Sequence, residues 1–120
     1  MSEVGHFAGR HVFAELYGVD SAVLDDPSLL GQLLTDAVTG AGATVCQVVT
    51  EQFEPQGATV VAVLAESHAT VHTYPEIGSL FVDVFTCGEK ADPEHAVRLL
   101  AAALRPGSMR LSTIRRGDRA

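Results

Sequence analysis

Basic residues, long apolar runs and cysteines are scarce or absent in this chain, and each scarcity excludes a class of function or location. Eight basic residues face 15 acidic ones, and the resulting net charge of −7 disfavours partners such as nucleic acid or an anionic membrane. No apolar run approaches the roughly 20 residues of a membrane span. Residues 1–10 lack the continuous apolar run of a signal peptide, which predicts a cytoplasmic protein. In that compartment the two cysteines, Cys46 and Cys87, are expected to be reduced thiols.

A length of 120 residues predicts one domain spanning residues 1–120. Such a chain can bury a real but small core, and small cores often gain stability by dimerising. No linker or low-complexity segment divides the sequence. The composition is ordinary for a globular protein.

The apolar pattern predicts an α+β fold: a two-layer sandwich in which two α-helices cover one face of a mostly antiparallel β-sheet. Asp26-Pro27 and Asp92-Pro93 are helix starts, because aspartate caps free amides and proline fits the first helical position. The first helix is expected to end near Gly40 and the second near Leu104. Strands are predicted at 10–17, 43–53, 59–65, 68–74, 79–87 and 108–114.

Two of these strands have informative patterns. Residues 59–65 are almost wholly apolar and β-branched, as expected of a central strand that is buried on both faces. Residues 68–74 alternate, so that His68, Thr70, His72 and Tyr74 point to a site or to solvent while the small residues between them point to a core.

The segment 75–78 predicts a four-residue turn that returns the chain as a hairpin. Tyr74 would then lie opposite Ser79, and the same register places Glu66 and Ser67 beside Cys87, with opposed side-chain roots ~5 Å apart. A serine attacks a carbonyl poorly unless a base or a strained backbone assists it. The sequence therefore predicts a reactive hydroxyl next to a thiol where two strands meet.

These segments carry a family resemblance that runs from about Gly9 to Arg116. The chain resembles the proenzymes of S-adenosylmethionine decarboxylase in their short bacterial and archaeal form. The densest matches are GRHVFAELYG, PQG, ESHATVHTYPE, VDVFTCGE and DPE.

The resemblance implies self-cleavage between Glu66 and Ser67. Attack of Ser67 on the carbonyl of Glu66 would give an ester, and elimination with hydrolysis would leave a β chain of residues 1–66 and an α chain of residues 67–120. The α chain would begin with a pyruvoyl group, a covalent cofactor made from Ser67. His72 matches the processing histidine of the family, and Thr59 stands where the family commonly has a serine that assists processing.

The resemblance also implies how the mature enzyme would act. The pyruvoyl ketone would form a Schiff base with the α-amine of the substrate and withdraw electrons as CO₂ leaves. Cys87 matches the acid that reprotonates the α-carbon. Phe53 and Tyr74 match the two aromatic positions around adenine, and Glu76 matches the carboxylate that receives the ribose hydroxyls. Family members are homodimers with sites built from both protomers.

Some positions depart from the family pattern and leave the substrate open. Position 74 is usually tryptophan, and Glu51 adds a carboxylate that would suit a basic side chain. The leading prediction is decarboxylation of S-adenosylmethionine for spermidine biosynthesis. A pyruvoyl-dependent ornithine or arginine decarboxylase is the alternative, and an uncleaved regulatory subunit is a weaker one. A metal site built from His11, His68, His72 and Cys87 is not expected, because these residues lack a compact ligand spacing.

Overall fold

The computed structural model describes residues 8–117. Most of the segment in which an export signal was sought, residues 1–7, lies outside that range. The described elements are β1 (Gly9–Tyr17), α1 (Ser21–Leu24), α2 (Pro27–Gly40), β2 (Val45–Gln52), β3 (Ala58–Leu64), β4 (Ser67–Tyr74), a 3₁₀ turn (Pro75–Ile77), β5 (Ser79–Cys87), α3 (Pro93–Leu104) and β6 (Ser108–Arg116).

The six strands form one sheet in the order β2-β3-β4-β5-β1-β6, and all the neighbouring strands are antiparallel. This confirms the predicted α+β sandwich. The predicted hairpin register is also confirmed, because Tyr74 pairs with Ser79 and His68 with Phe85. Gly78 closes the turn at a φ of 65°, a conformation that glycine adopts without steric cost.

The two main helices begin where the Asp-Pro pairs predict. The side chain of Asp26 accepts a hydrogen bond from the amide of Leu29, and that of Asp92 accepts from the amides of Glu94 and His95. The sequence prediction missed α1, which is too short to show a helical period and is capped by Asp20. The first main helix also continues through Gly40 to a cap at Ala41.

The core lies between α2, α3 and one face of the sheet. Its fully buried large side chains come from every layer, so that sheet and helices cannot separate without exposing apolar surface. They include Val12, Leu16, Leu30, Leu34, Val60, Val71, Leu80, Val84, Val97 and Leu100.

The expectation that residues 59–65 are buried on both faces is wrong. Residues of β3 alternate between buried and accessible, and Val63 is 42% exposed. The reason is that the helices cover only one face of the sheet. We call the other face the open face. It carries His11, Phe13, Glu15, Val49, Thr59, Val61, Val63, His68, Thr70, His72, Tyr74, Phe81, Asp83, Phe85, Arg110, Ser112, Ile114 and Arg116.

Within residues 8–117, no helix combines the length and the apolar character that crossing a membrane requires.

Candidate active site

Glu66, Ser67 and Cys87 lie together, as the hairpin register predicts, and we call them the Ser67 cluster. The hydroxyl oxygen of Ser67 accepts a hydrogen bond of 3.3 Å from the backbone amide of Cys87. Glu66 has a φ of 62° in the tight connection between β3 and β4. This left-handed conformation is unusual outside glycine and stores about 1–3 kcal/mol of strain. The peptide bond between residues 66 and 67 is therefore next to a strained residue.

A second group of predicted site residues, Phe53, Thr59, His72, Tyr74 and Glu76, lines an open cavity of about 360 Å³. We call this group the His72 cluster. The hydroxyl of Thr59 lies 3.0 Å from Nδ1 of His72 across the β3–β4 pair.

Glu51 pairs with Thr59 in the neighbouring strand but does not line this cavity. The structure thus places the proposed processing pair and the proposed nucleoside residues together, while Glu51 lies beside them on the exposed edge strand.

The two clusters are far apart within one chain. Ser67 and His72 occupy the same extended strand, and five residues of strand span about 16 Å. Their side chains also stand on opposite faces, because five is an odd number of residues. His72 therefore cannot reach the hydroxyl of Ser67 in its own chain.

Asp83 forms a third cluster that the sequence reasoning missed. One oxygen of its carboxylate lies 2.7 Å from Nε2 of His11 and 3.1 Å from Nε2 of His68, and the other accepts a hydrogen bond from the hydroxyl of Thr70. Burial raises the pKa of Asp83, but the hydrogen bonds from Thr70, His11 and His68 outweigh that effect, so its pKa lies below the usual range. The register that pairs Tyr74 with Ser79 also pairs Thr70 with Asp83 and could have revealed this contact.

Two imidazoles and a carboxylate are also ligands for transition metals. The ligand atoms of His11, His68 and Asp83 lie within 4.8 Å of one another. However, Arg116 donates a hydrogen bond of 3.1 Å to Nδ1 of His11, so the proton of the neutral imidazole is on Nε2 and points to Asp83. Hydrogen bonding therefore accounts for the cluster. Of the four residues from which the sequence did not lead us to expect a metal site, the structure brings together His11 and His68, while His72 and Cys87 lie outside this group.

The chain is similar to known proteins over most of its length. The family model described as S-adenosylmethionine decarboxylase matches residues 10–117. A relative from Caldicellulosiruptor saccharolyticus, named S-adenosylmethionine decarboxylase proenzyme, is 43% identical over 112 residues, which are 93% of this chain and 90% of that protein. A proenzyme of the same name from Methanococcus maripaludis is 44% identical over 109 residues, 91% of this chain and 89% of that protein.

The fold is matched as well. The crystal structure of the adenosylmethionine decarboxylase from Aquifex aeolicus superposes with a TM-score of 0.86 at 36% identity and covers 94% of this chain and 93% of that one. The sheet, the site and these matches together define an enzyme of the decarboxylase class. The chain belongs to the S-adenosylmethionine decarboxylase family.

Proposed function

We propose that this protein is a self-cleaving, pyruvoyl-dependent decarboxylase that converts S-adenosylmethionine to its decarboxylated form and CO₂. The observation that carries the proposal is the contact between the Ser67 hydroxyl and Cys87, next to the strained Glu66, in a chain of this family. The product would donate aminopropyl groups for spermidine biosynthesis. The relatives cited above are named for S-adenosylmethionine, so they give no support to ornithine or arginine as the substrate.

Scission would begin at the strained junction. The hydroxyl oxygen of Ser67 bonds to the carbonyl carbon of Glu66, and the bond between that carbon and the amide nitrogen breaks, which gives an ester and a free amine. Loss of the α-proton of residue 67 then breaks the bond between Cβ and the ester oxygen. That oxygen becomes part of the new C-terminal carboxylate at Glu66. Hydrolysis of the unsaturated amine left at residue 67 then releases ammonia and leaves the ketone of the pyruvoyl group. The products are a β chain of residues 1–66 and an α chain of residues 67–120.

The residues around position 67 suit a pyruvoyl group. Residue 67 lies at the start of a central strand, and the main chain of Cys87 is within hydrogen-bonding distance of its side chain. The group supplies an electron-withdrawing carbonyl when CO₂ leaves the substrate. Cys87, at the end of the adjacent strand, is placed to hold the thiol proton that the α-carbon needs after CO₂ has left.

The His72 cluster suits the nucleoside part of the substrate. Phe53 and Tyr74 present aromatic rings to a cavity that Glu76 also lines. Aromatic rings stack on adenine, and a carboxylate accepts hydrogen bonds from ribose hydroxyls. The contact between Thr59 and His72 fixes the orientation of the imidazole, which can then take the α-proton during scission.

We propose that a second copy of the chain completes the active site. Within one chain the Ser67 and His72 clusters are about 16 Å apart, so a second copy must supply the missing cluster. A two-fold dimer that stacks the open faces in opposite directions would bring the His72 cluster of one copy to the strand end at which residue 67 of the other copy lies. The open face has the apolar character that such an interface needs. Its exposed large apolar residues are Phe13, Val49, Val63, Tyr74, Phe81 and Ile114.

Replacement of the nucleophile tests the proposed function. Ser67→Ala should give a folded protein that stays as one chain of 12.6 kDa and releases no CO₂ from S-adenosylmethionine. The unaltered protein should give two fragments by intact mass, the second beginning with a group that resists amino-terminal sequencing. Ser67→Cys is the matched control, because a thiol can also attack the carbonyl. Normal cleavage of Ser67→Ala would refute the mechanism.

Replacement of an apolar residue on the open face tests the dimer. Ile114 is 53% exposed and distant from both clusters along the sheet, so Ile114→Asp should weaken the dimer by placing a charge in a dry interface. Light scattering should show a mass near twice that of one chain for the unaltered protein and a monomer for the variant. The monomer should also fail to cleave itself, and an active monomer would refute the shared site.

A further inference from the structure

The proposed scission removes one of the contacts that hold residue 67 in place. In the uncleaved chain, the Ser67 hydroxyl accepts a hydrogen bond from the amide of Cys87. The chemistry above transfers that oxygen to Glu66, so the contact is lost when the pyruvoyl group forms. Residue 67 also becomes a chain end, and chain ends fray unless they are tied down. The pairing of β4 with β5 begins only at His68.

We call Asp83 and its hydrogen-bond partners, which are His11, His68 and Thr70, the Asp83 cluster. Its contacts remain in place after scission. The imidazole of His68, the residue next to the new chain end, lies 3.1 Å from the carboxylate of Asp83 on the adjacent strand. His11 contacts the same oxygen at 2.7 Å. After cleavage His11 would belong to the β chain, and His68 and Asp83 would belong to the α chain. The same carboxylate thus contacts both chains beside the reactive end.

The arrangement requires an acceptor at position 83. Arg116 donates to Nδ1 of His11, which leaves the Nε2 proton of that ring to donate to Asp83. Thr70 donates to the other carboxylate oxygen. Three donors therefore converge on two oxygens, a pattern that an ionised carboxylate satisfies. An amide has only one acceptor oxygen, so its N–H group would face either a histidine donor or the Thr70 hydroxyl, which would then have to accept instead of donate.

We propose that Asp83 is a positioning residue of the decarboxylation reaction: it fixes the ring of His68 and thereby holds the pyruvoyl end against Cys87. This inference rests on the proposed function. Asp83 itself does not touch the substrate in this account. Its effect is to keep residue 67 within reach of the thiol after the serine hydroxyl has left.

The main test is Asp83→Asn, which keeps size and removes the carboxylate. We expect self-cleavage to slow, and kcat of the cleaved protein to fall by about tenfold or more, because small misplacements of reacting groups are costly. KM should stay within about threefold, because the nucleoside contacts belong to the His72 cluster. Self-cleavage and kcat both within twofold of the unaltered protein would overturn the inference, even if thermal stability fell.

Asp36→Asn is the matched control. Asp36 is also a carboxylate that accepts a side-chain hydrogen bond, from the amide of Gln32, but it belongs to α2 on the covered side of the sheet and contacts neither His11 nor His68 through any hydrogen bond in the described chain. The same acid-to-amide change there should leave kcat within about twofold. A loss of kcat equal to that of Asp83→Asn would refute a specific role of Asp83.

Two variants at His68 keep the inference testable if Asp83→Asn does not fold. The His68 side chain is 39% exposed, so its replacement should be tolerated. His68→Gln retains an N–H donor for Asp83 and should keep more kcat than His68→Leu, which has none. Equal kcat for the two variants would overturn the inference. Failure of the unaltered protein to cleave or to release CO₂ would instead refute the proposed function.

Discussion

The Ser67 cluster and the His72 cluster are centred on the same strand, β4, and differ in almost every physical respect. The Ser67 cluster is tight and local, built by one hairpin and a two-residue connection, and it contains a strained backbone. The His72 cluster is an open cavity with aromatic walls and a histidine held by a neighbouring hydroxyl. Under the proposed function, the first would supply the groups for bond breaking and the second the groups for binding and proton removal, so that each would need the other.

The prediction with the largest expected effect tests whether the His72 cluster of one chain acts on the Ser67 cluster of another. Ser67→Ala and His72→Ala should each remain uncut when produced alone. Produced together, the two variants should form mixed dimers in which the His72→Ala chain supplies Ser67 and the Ser67→Ala chain supplies His72. The His72→Ala chain should then be cleaved, and the mass of its α fragment identifies it. If no chain is cut in the mixture, the shared site is refuted.

The second prediction separates scission from turnover at the Ser67 cluster. Cys87→Ala should still be cleaved, because Ser67 and Glu66 are intact, but kcat should fall by about 10²–10⁴-fold through loss of the acid. Cys46→Ala is the control, because Cys46 is an exposed thiol on an edge strand. Rates of CO₂ release from fully cleaved samples provide the measurement. Full activity of Cys87→Ala would assign the acid to another group.

The third prediction concerns the hydroxyl in the His72 cluster. Thr59→Val removes the hydrogen bond to His72 and should slow self-cleavage by about fivefold, which corresponds to about 1 kcal/mol for one hydrogen bond. Thr59→Ser retains the hydroxyl and should cleave at a nearly normal rate. The time course of fragment formation on denaturing gels measures both. Equal rates for valine and serine would show that the hydroxyl does not orient the histidine.

The smallest expected effect is the pH dependence of stability at Asp83, which lies between the two clusters. Its pKa is lowered in the folded protein, where burial is outweighed by hydrogen bonds from Thr70, His11 and His68. Its stabilising contribution is therefore fully present above the ordinary carboxyl pKa of about 3.9 and is lost as the pH falls through the lower folded value.

Thermal unfolding midpoints measured from pH 7 to pH 3 should show this contribution. The midpoint of the unaltered protein should exceed that of Asp83→Asn at neutral pH, and the difference should shrink below about pH 4. A difference that stays constant across this range would contradict an ionised Asp83 in the folded state.

Local sequence signals predicted much of the fold because their physics is local. The Asp-Pro pairs set both helix starts, since capping and the fixed φ of proline act within one turn. The hairpin register followed from one turn and placed Ser67 beside Cys87. The burial of residues 59–65 was mispredicted, although the predicted sandwich already leaves one face of the sheet uncovered, because an almost wholly apolar composition does not show which residues of the strand face the helices.

Residue types alone do not show that the proposed site residues fall into two separate clusters in one chain. Ser67, His72 and Cys87 lie within about twenty positions of one another in the sequence, but extended backbone separates the first two by about 16 Å. The contacts of Asp83 with His11 and His68 join three strands, of which β1 is distant in sequence from the consecutive β4 and β5, and they depend on the sheet order.

The sequence by itself predicted which residues would carry the chemistry and which strands and helices they occupy, because side-chain reactivity, capping and alternation are properties of short segments. Only the tertiary structure decided that His11 joins His68 at the carboxylate of Asp83 and that one face of the sheet stays open. The physical reason is that distances across a sheet depend on strand order and on which face the helices cover, and both are set by the packing of the whole chain.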